Sequence, residues 1–260
     1  TGALPDGKAV IVNSNGTVSL VAATNTSESL GSSAQANSSE VIYSDTAYDE
    51  TSQKIVMVYG DSGNSNHGTA VVGTVSGTSI SFGTPVVYEA NRSFYNRVVY
   101  DPDSGKVVIA YAGTTSSRGY ARVGTVSGTS ISFGTRAQFE TGSIKYTAQT
   151  YDTTSNKVII AYQDDSNGDY GTAVVGTVSG TDISFGTPVV FSGAITLFTG
   201  VAYDSVADRT VITYRNTGNS NYGTAIVGTV SGKPQSFRFY FKHTKYDCSH
   251  SVSGFTRWDS

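Results

Sequence analysis

Sulfur, proline and charge are scarce in this chain. A single cysteine, Cys248, excludes an intramolecular disulfide, so an oxidising compartment is neither required nor ruled out. Charged residues make up 14% of 260 residues and the net charge is −3. With no Lys/Arg cluster to release counterions from a polyanion, a nucleic-acid partner is not expected. No apolar run reaches the ~18 residues of a membrane span and no charged-then-apolar leader opens the chain, so neither membrane insertion nor a signal peptide is expected. No window has the i, i+3, i+4, i+7 spacing of an amphipathic helix. There is no Gly-x-Ser-x-Gly elbow, phosphate-binding loop or dinucleotide fingerprint, and no cofactor is expected.

What the chain has is glycine (29), tyrosine (17) and an abundance of Ser, Thr, Val and Asn, an all-β composition. It also has repeated text. Gly68–Tyr88 reads GTAVVGTVSGTSISFGTPVVY, Gly119–Phe139 reads GYARVGTVSGTSISFGTRAQF, Gly171–Phe191 reads GTAVVGTVSGTDISFGTPVVF, and Gly223–Gly232 begins it again. The opening glycines (68, 119, 171, 223) step by 51, 52 and 52 residues. A fixed period of this size marks a repeat architecture.

Each period holds four strand-like runs rich in Val, Ile, Thr and aromatics, bounded by Gly, Asn, Asp and Ser. The first-to-second connections (Asp49–Lys54, Asp101–Lys106, Asp152–Lys157, Asp204–Arg209) start with an Asp suited to bonding its own downstream backbone. The third-to-fourth connections carry Gly77, Gly128 and Gly180 in Val-Ser-Gly-Thr turns. Short links of this kind predict a four-stranded antiparallel meander per period. The second and third runs are apolar at nearly every position, so both faces need cover, and stacking the sheets as propeller blades provides it.

The expected fold is therefore an all-β, five-bladed β-propeller spanning 1–260 as one domain, with repeats at about 41–92, 93–143, 144–195 and 196–241. Lys8–Asn13, Thr17–Ala22 and Ser29–Ala36 read as three strands of a fifth blade. Ser249–Trp258 supplies its missing first strand, so segments 1–40 and 242–260 share a blade and close the ring. Gln235–Phe241 keeps the register of a fourth run. Tyr59, Tyr111, Tyr162 and Tyr214, once per period, read as packing residues between blades.

The repeats differ in the second-to-third and fourth-to-first loops, which share one face of a propeller. Candidate ligand-binding residues there are Asn64, Asn66, His67, Arg92, Tyr95, Arg118, Tyr120, Asn167, Asp169, Tyr170, Asn219, Asn221 and Tyr222. Amides and carboxylates pair with vicinal hydroxyls and aromatic rings stack on pyranose faces, which points to sugars. The plain alternative is that Gly, Asn, Asp and Ser are simply turn formers. Asp49, Asp101, Asp152 and Asp204 recur once per period and read as turn caps. Asp101–Gly105 lacks the later acidic ligand of a calcium loop. His243, Asp247, Cys248 and His250 fit no standard zinc spacing, so no metal is expected. A glycosidase needs two converging carboxylates. Glu40, Asp45, Glu89 and Glu140 fall near inner-strand starts, but no unique pair stands out, and no catalytic residue is assigned.

The repeat text, Tyr170–Phe191 (YGTAVVGTVSGTDISFGTPVVF) with Tyr100-Asp101 and Lys106–Tyr111 (KVVIAY), resembles tandem repeats in tail-fibre-like and other structural proteins of marine phages, especially cyanophages. The resemblance covers roughly residues 41–232 and not Lys233–Ser260. It implies an extracellular or virion-associated module, part of a larger fibre or virion protein, whose partner is a cell-surface glycan or receptor. The leading expectation is a non-enzymatic carbohydrate- or receptor-binding propeller. The alternatives are a structural spacer without a small ligand, and a glycan hydrolase.

Overall fold

The computed structural model describes residues 10–20, 30–231 and 236–240. The chain divides into two compact units, Thr1–Ser32 and Ser33–Ser260. In the first, β1 (Val10–Val12) and β2 (Val18–Leu20) form an antiparallel hairpin whose turn holds Gly16 at φ 77°.

The second unit is a 16-stranded antiparallel sheet system, built from four meanders joined in series. Its second strands are β4 (Lys54–Asp61), β8 (Lys106–Gly113), β12 (Lys157–Asp164) and β16 (Arg209–Asn216). The third strands are β5 (His67–Ser76), β9 (Arg118–Ser127), β13 (Tyr170–Ser179) and β17 (Tyr222–Ser231). Short outer strands β6 (Ser79–Phe82), β10 (Ser130–Phe133), β14 (Asp182–Phe185) and β18 (Ser236–Tyr240) pair with the third ones. The inner strands are β3 (Val41–Asp49) and the 16-residue β7 (Val86–Asp101), β11 (Ala137–Asp152) and β15 (Val189–Asp204). Each long strand serves two meanders. Val86–Arg92 pairs with β5, and from Ser93 the same strand pairs with β8.

Alternation explains why the central strands are apolar on both faces. Val107, Ile109 and Tyr111 of β8 pack with Val56 and Val58 of the preceding meander, while Val108, Ala110 and Ala112 pack with Val158, Ile160 and Tyr162 of the next. All of these are fully buried, and each Val or Ile stabilises the fold by roughly 1.5–3 kcal/mol relative to exposure. In β16 the pattern turns half polar, and Thr213 and Arg215 are exposed.

The Asp of each first-to-second turn accepts backbone amides. Asp101 takes Asp103 and Ser104 at 3.0 and 3.2 Å, Asp152 takes Thr154 and Ser155 at 2.9 Å, and Asp49 and Asp204 do likewise. The turn glycines Gly77, Gly128 and Gly180 sit at φ 60–62°. The opening glycines Gly68, Gly119 and Gly171 have a different reason: the rings of Tyr88, Phe139 and Phe191 lie where a Cβ would stand.

Two expectations change at the ends. Residues 30–36 form no strand, because their text, LGSSAQA, provides no apolar alternation to pair. Among the described residues the sheet system runs open from β3 to β18. The expected closing strand Ser249–Trp258, like His243, Asp247, Cys248 and His250, lies outside the described residues.

Successive meanders touch closely at Gly83 and Gly134, where an added Cβ would collide with the carbonyl oxygens of Thr129 and Thr181 in the following copy. Backbone cannot yield as a side-chain tip can. Gly134→Ala is expected to destabilise by about 2 kcal/mol and to lower Tm by about 4–8 °C in thermal melts, while Gly193→Ala, where nothing lies within 4 Å, stays within about 0.5 kcal/mol.

Candidate active site

Every inner strand begins with an irregularity. The pairing register shifts between Ile42 and Asp45, Phe94 and Arg97, Lys145 and Ala148, and Leu197 and Gly200. Within each bulge one aromatic residue adopts left-handed backbone geometry: Tyr43 (φ 51°), Tyr95 (51°), Tyr146 (50°) and Phe198 (53°). Bulky side chains seldom accept this region, at about 1–3 kcal/mol each, and such residues collect at functional sites. The rings form one continuous row across four neighbouring inner strands, with centroids 4.7, 5.5 and 4.9 Å apart and tilts of 50–54°. The strained carbonyls are held from the next copy: Thr147 Oγ1 donates to the Tyr95 carbonyl and Thr199 Oγ1 to that of Tyr146.

The second-to-third loops lean on this row. The carbonyls of Asn66, Ser117 and Asp169 accept the amides of Ser93, Ile144 and Thr196 at 2.8–2.9 Å. Asn64, Asn167 and Asn219 each end a single 3₁₀ turn, while Asn66, Asp169 and Asn221 follow it in left-handed geometry. His67 pairs directly with Arg92, whose guanidinium lies 4.8 Å from the Phe94 ring. Exposed Arg118 stands opposite Ser143, Tyr170 opposite Ile195, and Tyr222 is exposed. Asn221 accepts Arg215 Nε at 3.2 Å beside a cavity of about 490 Å³ that Phe198 and Arg215 also line. Tyr120 differs from its expected place on the loop face: it is 5% exposed, in the core beneath Arg136.

Three of the carboxylates noted near inner-strand starts, Asp45, Glu89 and Glu140, are committed to the scaffold. Asp45 accepts the Val98 amide at 2.9 Å. Glu89 accepts Asn91, Tyr111 and Arg136 at 2.8–3.0 Å, and Glu140 accepts Tyr162 at 3.1 Å, each reaching into the next copy. Burial favours neutral Glu89, but its three donors outweigh burial and hold its carboxyl below the usual range. Tyr111 and Tyr162 therefore hydrogen-bond as well as pack, whereas the buried Tyr59 hydroxyl has no hydrogen-bond partner. Burial, with the neighbouring carboxylate, pushes Tyr111 and Tyr162 strongly up.

A different pair lies in the third copy's second-to-third loop. Asp165 and Asp169 lie within hydrogen-bonding reach of one another in the third copy. Asp165 Oδ2 takes Lys145 Nζ at 2.7 Å and Ser143 Oγ at 3.2 Å, and its Oδ1 is buried without a donor. Burial and then Asp165 raise the Asp169 carboxyl above its usual value, while Asp165 raises Lys145. The pair adjoins the aromatic row: Lys145 precedes Tyr146, and burial with the charges of Tyr43, Tyr146 and Asp165 pushes Tyr95 up to about 12. Sequence reasoning named Asp169 and Tyr95 but missed Asp165, Lys145 and the row as a set. The signal was departure from the repeat. Asp165 stands where other copies have Ser62 and Thr217, and Lys145 where they have Ile42, Phe94 and Leu197.

No protein-family model and no curated protein matches the sequence. Among solved structures, the chain is similar to the exo-β-1,3-galactanase of Phanerochaete chrysosporium with galactose, at 8% identity and TM-score 0.50, covering 77% of this chain and 50% of that one. A variant of that enzyme with β-1,3-galactotriose matches at 9% identity and TM-score 0.50 with the same coverage. The catalytic domain of the Coprinopsis cinerea α-L-arabinofuranosidase matches at 12% identity and TM-score 0.45, covering 81% and 71%. This chain spans about half the length of the galactanase chains, and at such identities the likeness is one of fold.

The expectation of a non-enzymatic binding module is corrected at this point. The galactanase structures that share the fold belong to a glycan-hydrolysing enzyme, and among the described residues the third copy's loop carries an acidic pair that the other copies lack. Periodic text concealed it, because the residues that break the period are three isolated letters.

Because the folded-state carboxyl of Asp169 is raised, its contribution to stability is present below the unfolded value of about 3.9 and is lost as pH rises through the folded value. Asp169→Asn is therefore expected to raise Tm relative to the parent at pH 7, with the difference shrinking below pH ~4. Thermal melts from pH 3 to 7 check this, and a pH-independent difference would count against the raised Asp169 carboxyl.

Proposed function

We propose that this chain is the glycan-hydrolysing part of a propeller enzyme, with Asp169 and Asp165 acting as one coupled proton donor. The observation that carries the reading is the carboxyl pair found in one copy only, beside the aromatic row. Kinship of fold with an exo-β-1,3-galactanase supports a glycan substrate. Closure into five blades belongs to the same proposal, supported by four copies at steps of 51, 52 and 52 residues and by the strand-like runs read ahead of the first copy. So does a secreted or virion setting, which the repeat resemblance suggests.

In this reading the glycosidic oxygen takes the Asp169 proton as its bond to the anomeric carbon breaks. Water adds to that carbon and releases its own proton to solvent, which reloads the pair. The charge left on Asp169 is offset by Lys145, which already pairs with Asp165. Carboxyls in direct contact are closer than the ~5–5.5 Å of retaining or the ~6.5–9.5 Å of inverting glycosidases, so the two act as a single acid and not as acid and nucleophile.

The test is release of reducing sugar from β-1,3-galactan, arabinan, xylan and β-glucan. Hydrolysis of at least one is expected, falling roughly 10²-fold or more in Asp169→Asn. A folded protein that cleaves none of them, or an Asp169→Asn variant of undiminished rate, sinks the reading.

A further inference from the structure

From the strained aromatic row we infer a carbohydrate-stacking subsite in which Tyr95 and Tyr146 hold a neutral sugar ring beside the acid pair. This deepens the hydrolase reading and rests on it for the identity of the ligand as a glycan. The position is one that glycine or asparagine occupies most easily, yet all four copies place an aromatic there, at steps of 52, 51 and 52 residues. Packing covers the row only in part: Tyr43 and Phe198 at its two ends are 45% and 61% exposed, and Tyr95 and Tyr146 between them are half-buried.

The surroundings select the occupant. A purely apolar partner would strip water from Lys145, Asp165 and Asp169 without offering them a hydrogen bond, which is costly. A pyranose offers an apolar C–H face to the rings and hydroxyls to the charged groups at its rim. The threonine bonds to the Tyr95 and Tyr146 carbonyls hold these two backbones in place, so little ordering remains to be done on binding.

Affinity electrophoresis of the full chain through gels cast with neutral β-galactan, arabinan, xylan or β-glucan tests the subsite without requiring turnover. The parent is expected to be retarded by at least one polymer. Tyr95→Gly and Tyr146→Gly should bind at least 10-fold more weakly with Tm held to within a few degrees, since glycine adopts the left-handed geometry freely. Tyr146→Phe should keep most of the retardation. Absence of retardation in all four gels, or equal retardation of the glycine variants, overturns the proposal. Asp169→Asn separates the two readings. If it binds like the parent but does not hydrolyse, both stand. If it hydrolyses at the parent rate while the glycine variants fail to bind, the acid assignment falls and the stacking subsite remains.

Discussion

The structure depends on covering both faces of strands that have no polar face. In β8 one set of alternate residues, Val107, Ile109 and Tyr111, faces the preceding meander, and the other, Val108, Ala110 and Ala112, faces the following one. No single sheet of this text can bury itself, so each meander is stable only between neighbours. Several features of the repeat follow. Rings of Tyr88, Phe139 and Phe191 lie over the opening glycines, and Gly83 and Gly134 leave room for the next copy's backbone. Tyr111 and Tyr162 carry hydroxyls into the core and find Glu89 and Glu140 of the copy before. The periodic tyrosines and glutamates therefore stitch one sheet to the next.

Against that symmetric scaffold, the chemistry comes from departures. Equivalent positions lie at equivalent places around neighbouring inner strands, so a residue shared by all copies makes a row and a residue held by one makes a site. The aromatic row is of the first kind. Asp165, Asp169 and Lys145 are of the second, and they meet because the third copy's second-to-third loop leans on its own inner-strand bulge. Burial and the neighbouring Asp165 raise the Asp169 carboxyl above its usual value, and Lys145 only partly offsets them.

Strain and support coincide at the same place. The bulges turn bulky residues into left-handed geometry, and threonine hydroxyls from the following copy hold the carbonyls of Tyr95 and Tyr146 there. Such a conformation persists where surrounding bonds over-determine it, and it places ring faces where a regular strand would have tucked them into the sheet.

Local text by itself determined the four-stranded meander, its turns and its period. These rest on nearest-neighbour properties: an Asp that caps its own turn, a glycine at positive φ, and apolar runs of strand length. The same text made the turn role of Asp49, Asp101, Asp152 and Asp204 legible, along with the loop face and Asp169 as a residue on it. Only the tertiary structure decided that Asp165 meets Asp169 under Lys145, that Tyr120 belongs to the core, and that four aromatics join in one row. A bulge, a carboxyl–carboxyl contact and a ring–ring contact are relations between strands some 50 residues apart or between a loop and a bulge, and neither composition nor spacing encodes which side chains those relations bring together.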